Sequence, residues 1–267
     1  MPVIVGTCGW QYRHWIGCLY PTGLPRRDWL AHYAARFAAV EIDSAFYHLP
    51  STHTFEQWAE LTPPDFTMAV KASRYLTHMR RLRDPGEAVS RLMEGVSHLG
   101  AKLGPVLLQL PQDFVVNVAA LDETLAAFPT GTKIAFEPRH PSWYVDATAR
   151  TLADHGAALC LTDTPDRRCP LWRTTSWGYL RFHHGRALPK SCYGRGALRT
   201  WAGRLAELWP DGNDVYAFFN NDASGCAVRD AHTFAVALLR AGLEVTRVAS
   251  AAEASACGHE TAGTTDR

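Results

Sequence analysis

Short apolar runs that turn polar only in their last residues recur along the chain: Ala39–Asp43, Thr67–Lys71, Val106–Leu110, Ile134–Glu137, Ala158–Asp163, Tyr179–His183 and Val215–Asn221. An eighth run, Val3–Thr7, opens the sequence. A strand covered on both faces reads as an unbroken apolar run, the signature of a parallel sheet beneath helices. The stretches between the runs are long enough to hold those helices. Strand and helix alternating over eight units predict a parallel α/β fold, and a closed (β/α)8 TIM-barrel-like domain over an open doubly wound sheet.

Helical spacing supports the alternation. Trp29, Leu30, Tyr33 and Phe37 share a face after Pro25. Thr54 with Gln57 reads as a capping box for the segment carrying Phe55, Trp58 and Leu61. Asp84-Pro85-Gly86-Glu87 combines a cap, an early Pro and an early acid. Asn117 is placed to cap a helix bearing Leu121, Leu125 and Phe128. Leu198, Trp201, Leu205 and Leu208 line another, and a last one runs from Val228 to Leu239, with Gly242 placed to end it. Between Asp163 and Gly178 a Pro- and Arg-containing loop stands where a sixth helix is expected. Residues 1–245 are therefore expected to form the domain. Residues 246–267, Ala-, Thr- and Gly-rich towards the end, are expected to form a disordered tail.

The polar residues at the strand ends carry the candidate chemistry: Glu41, Lys71, Gln109, Glu137, Asp163, Arg181 and Asn220, with Asn221 beside the last. Side chains alternate faces along a strand. Glu41 therefore shares a face with Asp43, Glu137 with Arg139, and Arg181 with His183. Polar pairs confined to one face and one end match inward-facing positions climbing from a packed interior to an open mouth, where α/β barrels place their sites. A satisfied buried ion network is the structural alternative.

Composition narrows the classes. Charges nearly balance, with 27 Lys and Arg against 26 Asp and Glu, which opposes a broad basic face for nucleic acid or anionic lipid. No run approaches the ~20 apolar residues of a membrane span. Seven cysteines, odd in number and without a C-x-x-C pair, suggest reduced thiols and a cytoplasmic protein. The loops add rings: Trp10, Tyr12 and Trp15 after the first strand, Phe46 and Tyr47 after the second, and Trp143 after the fifth. Rings beside cations suit a flat or sugar-like ligand carrying negative charge.

Gly6-Thr7-Cys8-Gly9-Trp10, Val40-Glu41-Ile42-Asp43-Ser44-Ala45-Phe46-Tyr47-His48-Leu49-Pro50, Ala69-Val70-Lys71-Ala72, Leu103-Gly104-Pro105-Val106-Leu107-Leu108-Gln109-Leu110-Pro111, Phe136-Glu137-Pro138-Arg139-His140-Pro141-Ser142-Trp143, Arg181-Phe182-His183 and Tyr216-Ala217-Phe218-Phe219-Asn220-Asn221-Asp222 closely resemble the domain-of-unknown-function 72 family, the YecE-like proteins. The resemblance implies a TIM-barrel-like fold and no established activity. Cys8 stands where Ser is usual in that family, and Asp43 where Asn is usual. His183-His184 holds one more His than the usual run.

The functional expectation is an enzyme acting on a small anionic substrate, a phosphate ester or sugar phosphate, by hydrolysis, isomerisation or lysis. Lys71, Arg139 and Arg181 would hold the anion, with Glu137 as general base and His183 or His140 as acid. Glu41 would orient substrate or share the proton. Gln109, Asp163, Asn220 and Asn221 would fix polar groups, and Trp10, Tyr12 and Tyr47 would supply contact surface. No metal or other cofactor is expected, although Glu41, Glu137, Asp163, His140 and His183 offer donors for metal-dependent hydrolysis, including a nuclease. A glycosidase built on Glu41 and Glu137 and a non-catalytic binding protein are the remaining alternatives.

Overall fold

In a computed structural model, which describes residues 2–164, 169–188, 191–210 and 214–257, eight parallel strands close into a barrel in chain order. They are β1 (Val3–Cys8), β2 (Ala39–Ile42), β3 (Thr67–Lys71), β4 (Leu103–Gln109), β5 (Ile134–Glu137), β6 (Ala158–Asp163), β7 (Gly178–Phe182) and β8 (Val215–Phe219). The helices are α1 (Trp29–Ala34), α2 (Ser44–Tyr47), α3 (Thr52–Glu60), α4 (Gly86–Val96), α5 (Val118–Ala126), α6 (Asp146–Asp154), α7 (Arg195–Leu208), α8 (Cys226–Arg240) and α9 (Ala251–Ala256). Among the described residues no helix separates β6 from β7, as the Pro-containing loop there suggests.

The period of two along each strand divides the apolar residues between two cores. Val40, Ile42, Val70, Leu108, Phe136, Leu161, Phe182 and Phe219 face outward and pack beneath the helices. Inside, Ala39, Ala69, Ala135 and Ala158 stand opposite the bulkier Tyr179, Tyr216 and Phe218, so small residues on one half of the barrel leave room for rings from the other. Gly6 permits closure at one seam. A Cβ there would sit 2.3 Å from the Ala39 carbonyl oxygen, too close for any other residue where β1 pairs with β2.

Helix starts differ from expectation in two places. Ser51, not Thr54, caps α3, its side chain accepting from the Thr54 N–H. The Ser reaches the free N–H groups because it lies just outside the first turn. Asp84 makes no cap for α4 and pairs instead with Arg80. Asn117 does cap α5.

The expected tail is partly structured. Val3 bridges to Val245, and Ser250 and Glu253 form a reciprocal capping box that starts α9. Cys257, just beyond α9, is joined to Cys18; residues 258–267 lie outside the described residues. A second disulfide links Cys192 to Cys226. The expectation of reduced thiols holds for Cys8, Cys160 and Cys169 and fails for the other four, because folding brings cysteines 239 and 34 residues apart to Cα separations of 5.1 and 5.0 Å, within bridging range. The inference of a reducing compartment loses that premise. No helix among the described residues is long and apolar enough to cross a membrane.

Candidate active site

At the carboxyl ends of the strands, inward-facing polar residues form two layers. The lower layer is centred on Arg181 of β7, which is fully buried. Its guanidinium donates to Glu137 Oε2 of β5 at 2.7 Å and to Glu41 Oε1 of β2 at 2.6 Å. Tyr179 donates to the other Glu41 oxygen at 2.5 Å. Gln109 of β4 donates to both Glu137 oxygens at 2.9 Å. Register explains the convergence: Gln109 pairs with Glu137 across β4–β5, and Cys8 with Glu41 across β1–β2.

The electrostatics of this layer follow from its pairing. Burial alone would push the Glu137 carboxyl up, but Arg181, His183 and Arg139 outweigh it and hold it well below the usual carboxylate range. Burial likewise opposes charge on Arg181, and Glu41 and Glu137 more than restore it. Burial and Glu41 push the Cys8 thiol up, so Cys8 is a protonated packing residue and no nucleophile. One guanidinium joins two carboxylates through its terminal nitrogens, while its Nε is buried without a hydrogen bond. This pairing corrects three expectations. Arg181 is not an anion clamp, because its terminal nitrogens already serve carboxylates. Glu137 is too firmly ionised to be a good base. Glu41 and Glu137 are turned to Arg181 rather than placed across a sugar, which removes the basis of the glycosidase reading.

The upper layer is open. His183, following β7, sits between Glu137 Oε1, 3.1 Å from its Nε2, and the Asn220 side-chain nitrogen, 3.2 Å from its Nδ1. Where the Asn220 amide donates to Nδ1, the ring's Nε2–H donates to Glu137. Arg139 reaches Glu137 through one long hydrogen bond of 3.4 Å. Lys71 Nζ lies 4.2 Å from the centre of the Phe46 ring and 3.8 Å from Asp43 Oδ1. That oxygen is also 3.7 Å from Arg181, yet it is buried without a hydrogen bond. Burial and the nearby Glu41 raise the Asp43 carboxyl from 3.8 to about 6, against the pull of Arg181 and Lys71. His78, whose ring packs edge-on against Phe46, is lowered to about 4 by burial and by the cations Lys71, Arg139 and Arg74. With Asp43 ionised, Lys71, Arg139 and Arg181 are balanced by Glu41, Asp43 and Glu137.

Other expected site residues lie elsewhere. The inward residues of β6 are Cys160 and Thr162, so Asp163 has the outward parity. It lines a side pocket with His184, Arg186 and Tyr193, which also settles that His183 is the mouth histidine. Asn221 is outward too, its amide donating to the Ser191 carbonyl and to Asp230. His140 caps the turn Pro141–Trp143, its Nδ1 accepting from the Ser142 N–H. Trp10 packs edge-on against Trp58, and the Tyr12 hydroxyl donates to the Cys8 carbonyl. Tyr47 is 72% exposed on the rim.

Cys8, Glu41 and Asp43 present donor atoms within 4.8 Å of one another. Arg181 donates to Glu41 and lies 3.6 Å from the Cys8 sulfur, so a dication there would have to displace a guanidinium. Charge opposes a metal at that point.

The molecule is thus a parallel (β/α)8 barrel whose mouth closes over a Glu–Arg–Glu network and opens into a mixed-charge layer. The chain belongs to the family described as "Protein of unknown function DUF72", whose model matches residues 4–254. It is 26% identical over 262 residues to the UPF0759 protein YunF of Bacillus subtilis, covering 84% of this chain and 90% of that protein. It is also 26% identical over 155 residues to the UPF0759 protein YecE of Escherichia coli, a match spanning about half (54%) of that relative's length and 58% of this chain. A DUF72 family protein of Thermotoga maritima superposes with a TM-score of 0.80 at 29% identity, over 90% of this chain and all of that one. A D-psicose 3-epimerase of Clostridium cellulolyticum, at 12% identity and a TM-score of 0.52 over 90% of this chain and 96% of that one, shares the fold.

Proposed function

We propose that the upper layer is the active site of an enzyme acting on a small anionic substrate, a phosphate ester or sugar phosphate. Lys71 and Arg139 hold the anion above the Arg181 network. His183 moves the proton: Glu137 fixes its Nε2–H, so Nδ1 is the acceptor once substrate displaces the Asn220 amide. Glu137 is thereby a positioning residue, orienting the imidazole and stabilising it when a second proton arrives. Lys71 also stabilises negative charge developing on a substrate oxygen. The reaction is a proton-transfer one, within hydrolysis, isomerisation or lysis.

One observation carries this reading: His183 is suspended at the rim between a carboxylate and an exposed amide, 3.1 and 3.2 Å away, beside two partly engaged cations. Such an arrangement serves proton transfer better than packing. The test is thermal stabilisation by phosphate and sugar phosphates in the parent chain and in Lys71→Met. Ligand at a hundred times its Kd stabilises by about 2.7 kcal/mol. A shift seen in the parent and absent in Lys71→Met supports the assignment; equal shifts in both sink it.

A further inference from the structure

The loops after β2 and β3 and the first turns of α4 enclose a groove of about 620 Å³ that the mouth chemistry does not use. Its walls include Phe46, Tyr47, Tyr75, Met79, Arg74 and Arg91. Tyr47, Tyr75 and Met79 are 72, 48 and 64% exposed, which is unusual for three large apolar side chains gathered at one place. Among the described residues, neither Arg74 nor Arg91 has an ion-pair or hydrogen-bond partner on its side chain.

The segment presenting Tyr75 and Met79 has an unusual backbone. Tyr75–Met79 is a single π-helical turn, a form that frequently marks functional sites. Arg81, Leu82 and Asp84 follow it at positive φ, a costly backbone held by ion pairs from Arg80 to Asp84 and from Arg81 to Asp113 and by the fully buried Leu82 side chain. Phe46 joins the groove to the mouth, since the ring that lines the groove also carries Lys71 Nζ 4.2 Å from its centre.

We infer that this groove is the specificity subsite of the mouth and takes the flat ring of a nucleoside monophosphate whose phosphate lies on Lys71 and Arg139. This rests on the anion-binding reading given above. Two exposed tyrosines and a methionine offer stacking and soft contact to any π-face. Arg74 and Arg91 supply donors for the ring acceptors of a purine, as arginine does for the O6 and N7 of guanine. Glu87, on the same wall, accepts from ring N–H groups. A sugar phosphate without a base fills only the mouth, and a plain acyl chain leaves both arginines and Glu87 unused.

Calorimetric titration of the full chain with guanosine 5′-monophosphate, ribose 5-phosphate and inorganic phosphate tests this, using the parent, Tyr75→Ala, Arg74→Ala/Arg91→Ala and Lys71→Met. The substituted groove positions are exposed, and melting curves verify their folding. The nucleotide is expected to bind at least tenfold more tightly than ribose 5-phosphate. Tyr75→Ala should remove most of that advantage, within the about 5- to 150-fold that ring stacking carries, while leaving ribose 5-phosphate unaffected. Equal affinity for nucleotide and ribose 5-phosphate, with the latter dependent on Lys71, overturns the subsite and keeps the mouth reading. Nucleotide binding that needs Tyr75 but ignores Lys71 keeps the groove as a nucleobase site and overturns the mouth as its phosphate holder. No binding by any of the three overturns both.

Discussion

Replacing Asp43 by Asn is expected to stabilise the fold, and to do so more strongly as pH rises from about 4 to above 6. In the folded chain the Asp43 carboxyl is raised from 3.8 to about 6, so the native state holds its proton more tightly than the unfolded chain does. A raised carboxyl contributes no penalty when both states are protonated. Stability is lost as pH climbs through the window from about 4 to 6, and the full deficit persists above it. The shift corresponds to about 3 kcal/mol at pH 8 and about 1 kcal/mol at pH 4.5. The pull of Lys71, 3.8 Å away, is already contained in that value, so the amide removes the whole penalty. The gain is about 3 kcal/mol at pH 8 and about 1 kcal/mol at pH 4.5. For a domain this large the larger figure is about 6–12 °C in Tm. Calorimetric melting of both proteins at the two pH values measures it. An Asp43→Asn variant no more stable than its parent at pH 8, with a difference independent of pH, would refute the reasoning and show Asp43 to be an ordinary salt-bridged carboxylate.

Glu137→Gln is expected to cost about 3–5 kcal/mol of stability, because it leaves half of the buried Arg181 charge without a carboxylate; urea unfolding that shows no loss would contradict the network. Affinity for an anion of fixed charge should rise as pH falls through about 6, when protonated Asp43 leaves the mouth one positive charge in excess; titration with sulfate at pH 5.5 and 8 shows it, and the Asp43→Asn protein should bind comparably at both. Cys18→Ser opens a cross-link spanning 239 residues and is expected to remove about 2–4 kcal/mol, a loss that reductant exceeds in the parent because it also opens Cys192–Cys226.

Strand positions, strand order and the convergence of Glu41, Lys71, Gln109, Glu137 and Arg181 were readable because apolar runs and side-chain parity are local properties. Parity also had the information to reject Asp163 and Asn221: each lies one position after an inward residue, Thr162 and Asn220, and so points out. Alternation through a run, not its last polar position, decides which residue enters the mouth. Other features needed coordinates. That both terminal nitrogens of Arg181 are engaged depends on distances between three strands, and the orphan oxygen of Asp43 depends on what does not reach it. The disulfides join residues whose spacing in sequence carries no signal. Asp43 and His78 escaped notice as site residues for a different reason: each follows a strand that already offered a more conspicuous charge, Glu41 or Lys71.

The bond between Cys18 and Cys257 has a mechanical consequence. It ties the excursion after the first strand to the final helix, on either side of the seam where β1 meets β8. A cylinder laced in this way resists unrolling from that joint. Tension applied at those two positions meets a covalent link before it reaches any ladder of hydrogen bonds.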